Sequence, residues 1–193
     1  MIENSSPSPQ CMDGIEFPHF TWRSSDAIDG SSLTRSFLKH RPDEHWVLVG
    51  EGVAQCHAQL WTAWHSAARR QRRSTSLARS FDAEFLRYLA GTHHVSDAFK
   101  RAGMRDGDEA GCFLVLPDWK HEGNHLPTPD ESKRTEMADN ASTLADAIGV
   151  DLVDEPLLIS HEGAQRLGFN PDPSSEVTCD ALIGHVISAE FNS

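Results

Sequence analysis

Long apolar runs are missing from this 193-residue chain. No stretch approaches the ~20 apolar residues that a membrane helix needs, which excludes a helical membrane span. Cysteine is scarce and scattered. Cys11, Cys56, Cys112 and Cys179 never lie close together. That excludes a CxxC metal or redox motif, and the four read as reduced, mostly buried thiols in a reducing compartment. A phosphate loop of the G-x-x-x-x-G-K type is lacking. Gly50-Glu51-Gly52 is followed by Gln55 where a dinucleotide fingerprint needs its third glycine, so it reads as a tight turn between a strand and a helix. No serine or cysteine has the spacing of a nucleophile motif, and no internal repeat is present. Residues 1–14 lack the basic and apolar regions of a secretory signal and read as a disordered tail on a cytoplasmic protein.

What the chain does have is charge, unevenly placed. The formal net charge is -12, from 17 basic and 29 acidic side chains. Residues 64–105 carry nine Lys and Arg against three Asp and Glu, a net of +6. The remainder carries eight against twenty-six, a net of -18, and the two sum to -12. One basic segment on an acidic body points to a local anion site on a surface that repels anions elsewhere. The length suits one domain over residues 15–193.

The hydrophobic pattern predicts a mixed α/β (α+β) fold: a single layer of four to five short, mainly antiparallel strands packed with about six helices. Strands are expected at 17–22, 46–49, 112–116, 150–153 and 157–159. The run Cys112 to Leu116 is apolar at almost every position, as in a strand covered on both faces. Helical spacing predicts a short helix through Leu33, Phe37 and Leu38. It predicts another from Val53 into Arg69-Arg70-Gln71-Arg72-Arg73, and one capped by Ser80 and ended by Gly91. Further helices are expected over 95–102, over 137–148 before Gly149, and from Ser160 towards Gly168. The last is expected from Asp172-Pro173 onward, with apolar residues nearly encircling it, so that it is either sandwiched in the core or waiting for a partner. Residues 117–131, with three prolines, read as a loop insertion.

Three features bear on chemistry. His121-Glu122-Gly123-Asn124-His125 spells H-E-x-x-H, the ligand pair and general base of zinc hydrolases, but the spelling works only on a helix, and glycine and flanking prolines oppose one here. His93-His94 reads as polar punctuation between helices. The basic stretch is the strongest signal. Arg69, Arg70, Arg72, Arg73 and Arg79 supply guanidiniums that fork onto phosphate oxygens and stack on bases. Ser80 and the helix it opens add hydroxyl and backbone donors. Trp61 and Trp64 stand near enough in sequence to stack, although core packing suits them better.

The segment Leu77-Ala78-Arg79-Ser80-Phe81-Asp82-Ala83-Glu84-Phe85-Leu86-Arg87-Tyr88-Leu89-Ala90-Gly91, with Thr92-His93-His94-Val95 through Phe99 and Gly103 and then an apolar strand, resembles the small subunit of the KEOPS complex, the PRPK-binding (TPRKB-type) family. Arg79 stands where the family has an asparagine-like residue, and His94 where it has a glutamine-like one. The resemblance is strongest over about forty residues. It implies a non-catalytic subunit, without cofactor, metal or small-molecule substrate, of the complex that adds threonylcarbamoyl to adenosine beside the anticodon. It also implies two partners: the kinase-like ATPase PRPK, and tRNA held by its CCA end. The expected tRNA-binding residues are Arg69, Arg70, Arg72, Arg73, Arg79, Ser80 and His94. The expected kinase face is Leu86, Leu89, Val95 and Phe99, or the last helix around Leu182 and Val186. The readings that remain beside it are a zinc metallohydrolase on His121, Glu122 and His125, and a scaffold without RNA contact.

Overall fold

The computed structural model describes residues 15–120 and 126–191. Four strands, β1 (His19–Arg23), β2 (Trp46–Gly50), β3 (Ala110–Val115) and β4 (Asp151–Val153), form one antiparallel sheet in the order β2-β3-β1-β4. Seven helices accompany them among the described residues: α1 (Gly30–His40), α2 (His57–Arg72), α3 (Phe81–Leu89), α4 (Val95–Ala102), α5 (Glu131–Ile148), α6 (His161–Arg166) and α7 (Cys179–Ser188). The predicted mixed α/β architecture is therefore present. None of these helices is long and apolar enough to cross a membrane.

Successive side chains on a strand point to opposite faces, and this alternation divides the core in two. Val47, Val49, Cys112 and Leu114 face a cluster with Leu60, Trp64, Phe85 and Leu89 of α2 and α3, and Val186 of α7. Trp46, Leu48, Phe113 and Val115 face a second cluster with Leu33 and Phe37 of α1 and Leu144 of α5. The unbroken apolar run at Cys112–Leu116 follows from this double cover, as the sequence predicts.

Several boundaries differ from expectation. Val53 is fully buried, but α2 begins only at His57, after the extended cap residue Cys56. Residues 157–159 form no strand. The last helix starts at Cys179, where the Thr178 hydroxyl accepts from the Ala181 amide, rather than at Asp172-Pro173.

The largest correction concerns the cysteines. Cys56 and Cys179 form a disulfide across 123 positions of sequence, while Cys112 is a free, buried thiol. Burial pushes the Cys112 thiol up to about 12. The bond joins the start of α2 to the start of α7. At the far ends of the same helices Arg70 of α2 pairs with Glu190, just past α7, so α2 and α7 run side by side and parallel.

Candidate nucleic-acid interface

The basic stretch closes α2. Ser74 follows in the left-handed region, with φ of 55°. Its amide donates to the Gln71 carbonyl and the Thr75 amide to the Arg70 carbonyl, which caps the helix and turns the chain away. The next residues are fixed from behind. Glu84, with no solvent exposure, accepts from the amides of Leu77 and Ala78 at 3.0 and 2.9 Å, and its other oxygen pairs with Arg87 at 2.8 Å. One buried carboxylate thereby shapes the loop that presents Arg79 and Ser80 at the surface. Arg79 and Ser80 are both exposed. The Ser80 hydroxyl does not cap α3; it donates to the Asp82 carboxylate, and Asp82 also accepts from Arg41.

The five arginines do not form one cradle. Arg69 and Arg70 are engaged by Glu190, at 2.9 and 2.6 Å. The Tyr88 hydroxyl donates to the same carboxylate. Burial pushes the Glu190 carboxyl up, but Arg70, Tyr88 and Arg69 outweigh it and hold the group down at about 2. The expectation of an open anion site at Arg69 and Arg70 is thus corrected: a carboxylate of the same chain fills it.

Arg72 points elsewhere. Its Nη1 donates to the Trp119 carbonyl at 3.3 Å. The half-buried Trp119 ring lies 6.5 Å from that of Phe81, with the Lys120 ammonium 5.5 Å from its centre. Arg73 and Arg79 are exposed, and their side chains have no hydrogen bond or ion pair among the described residues. The result is an aromatic pair edged by cations. Sequence reasoning missed Trp119 and Phe81 because they belong to a loop and a helix 38 positions apart. Trp61 and Trp64 are core residues instead, donating to the Ile15 and Pro117 carbonyls.

Other expected site residues are dispersed. His94 is exposed, but it precedes α4. The whole of α3, nine residues and roughly 13 Å, separates it from Ser80. Of the expected kinase face, Leu86, Leu89, Leu182 and Val186 are buried in the core, so they offer nothing to a partner. Val95 is half-buried, and Phe99 is 51% exposed. The histidines and glutamate of the H-E-x-x-H spelling, His121, Glu122 and His125, lie outside the described residues, as does the tail 1–14. Within the described residues no group of three or more His, Cys, Asp or Glu gathers to hold a metal.

Compared with models of known protein families and with the sequences of curated proteins, the chain matches none.

Proposed function

We propose that this protein is a non-catalytic, RNA-binding subunit of the KEOPS type, which holds the single-stranded end of tRNA and docks a kinase-like ATPase. The observation that carries the reading is the Phe81–Trp119 pair bordered by Arg72 and Lys120, with exposed Arg73 and Arg79 next to them in sequence. Aromatic faces stack on splayed bases while cations track the phosphates, an arrangement that suits single strands and needs no groove geometry. The segment that carries the family resemblance, 77–103, folds as loop, helix, turn and helix, and leads into the apolar strand β3. The partner face reduces to Val95 and Phe99 of α4. In this reading the protein works in the cytoplasm, where disulfides such as Cys56–Cys179 are uncommon but known.

The test is a titration of labelled tRNA, with and without its CCA end, against wild-type protein and two variants. Trp119→Ala weakens binding by about 5- to 150-fold, the range for one stacked base. Arg73→Glu with Arg79→Glu weakens it and flattens the salt dependence by about 0.7 per phosphate lost. Binding that ignores both variants, or no binding at low salt, overturns the RNA reading. Failure of Phe99→Asp to disturb co-purification of a kinase-like ATPase overturns the docking face.

A further inference from the structure

Donors from three separate segments converge just past the end of α7. Arg69 and Arg70 of α2 reach the two carboxylate oxygens of Glu190, and Tyr88 of α3 adds its hydroxyl. Arg87 Nη1 and His93 Nε2 stand 3.3 and 3.1 Å from the Ala189 carbonyl. Two forked guanidiniums and a hydroxyl converging on one pair of oxygens form a donor set suited equally to an RNA phosphate.

Glu190 is not needed to close the core. Its side chain is 20% exposed, and Phe191 beside it is 78% exposed. The core contacts of α7 come from Leu182, Val186 and Ala189. The start of α7 is pinned to α2 by the Cys56–Cys179 bond. Opening the clasp therefore requires only that residues 190 and 191 move while the helix stays in place. Arg69 lies one helical turn before Arg72, about 5 Å along the axis and on a neighbouring face, so a strand laid over Trp119 passes close to Arg69, from which the site continues round the helix to Arg70.

We propose that Glu190 is an internal stand-in for an RNA phosphate: it occupies the Arg69–Arg70–Tyr88 site in the free protein and is displaced when single-stranded RNA binds. The inference rests on the RNA reading above and gives it a regulatory element, a self-occupied second phosphate site that keeps affinity low until a strand reaches it.

The experiment is fluorescence anisotropy with a labelled single-stranded RNA ending in CCA, over a series of salt concentrations. The wild type is compared with Glu190→Gln and with Glu176→Gln, an exposed site that makes the same change in net charge. Glu190→Gln is expected to bind about tenfold tighter with a similar salt slope, since the wild type engages the same phosphate once Glu190 has been displaced. Glu176→Gln is expected to stay within about twofold of wild type, since an exposed charge far from the contact is screened. Equal affinity of wild type and Glu190→Gln overturns the stand-in and leaves the RNA reading intact. No binding by any of the three at low salt overturns both. Because Glu190→Gln also loosens a structural clasp, amide exchange of the wild type is the second measurement. Saturating RNA speeds exchange at 190 and 191 if Glu190 leaves its site, and unchanged exchange there with RNA bound overturns the proposal.

Discussion

Glu84 and Arg87, one turn apart on α3, meet at 2.8 Å with neither side chain exposed to solvent. Each also serves a backbone group distant from the pair: Glu84 the amides of Leu77 and Ala78, Arg87 the carbonyls of Thr92 and Ala189. The loop before α3, the turn after it and the end of α7 thus depend on one buried ion pair. Removing one partner leaves a buried charge uncompensated, which costs about 3–5 kcal/mol. Glu84→Ala and Arg87→Ala are each expected to lower stability by that amount in urea denaturation. In the double variant the losses are expected to be far from additive, because the surviving charge is gone. Additive losses would show that the two side chains act independently.

The Cys56–Cys179 bond closes a ring spanning 123 positions. On a chain-entropy account, a ring of this size removes enough freedom from the unfolded chain to be worth about 4–5 kcal/mol, with native geometry reducing the gain. A reductant, or Cys56→Ser, is therefore expected to lower the unfolding free energy by about 3–5 kcal/mol. Cys112 behaves oppositely. Its thiol is buried and pushed up to about 12, so little thiolate forms and alkylation is slow. Iodoacetamide followed by peptide mass mapping is expected to leave Cys112 unmodified until denaturant is added. Rapid labelling in the native state contradicts its burial.

Many features that depend on neighbouring residues were legible in the sequence, although the starts of α2 and α7 and the strand expected at 157–159 were misread; those that join distant residues were not. The strand expected at 112–116, found as β3 at Ala110–Val115, and the helix over 95–102 before Gly103 follow from local pattern. So does the ending of α3 at Gly91, whose φ is 58° and whose missing side chain leaves room for His185. The cysteine pairing was invisible, because spacing carries no information about residues 123 apart. The basic stretch was legible as charge, but its partner was not. Nothing in the local pattern says that Glu190 lies against Arg69 and Arg70, so an internal ion pair read as an open cradle. The apolar stripe of the last helix concealed the same division: Leu182 and Val186 pack inward, while Ile187 is 45% exposed.

Gly50 shows how a position that reads as a plain turn serves packing. A Cβ there would overlap Arg166 Nη2 and lie 2.8 Å from the Gly103 carbonyl oxygen. Arg166 crosses the end of β2 at this point to form a two-pronged pair with Asp108, at 2.6 and 2.7 Å, with both side chains 9% exposed. Gly50→Ala is expected to push Arg166 off Asp108 and to cost about 3 kcal/mol or more, as in other broken buried pairs. In an Arg166→Ala background the same substitution is expected to cost at least about 1 kcal/mol less, because the main obstacle is gone. Thermal and urea denaturation of the four proteins measure this coupling, and an equal cost in both backgrounds refutes it.

Glu190 makes stability depend on acid in a defined direction. Its carboxyl is held at about 2 in the folded chain, against an ordinary 4.5. A lowered folded value means that the ionised group stabilises the fold at pH values above about 4.5, and that this contribution fades as pH falls towards 2. The site lies at the protein edge, with 20% of the side chain exposed, so solvent screening trims the contribution to about 2 kcal/mol. The difference in unfolding free energy between wild type and Glu190→Gln is therefore expected to be largest at pH 6 and to fall by more than half by pH 3. Urea titrations at several pH values read it directly. A difference that stays constant over that range would mean that Arg69 and Arg70 do not hold the carboxylate in solution, and the self-occupied site would lose its structural basis.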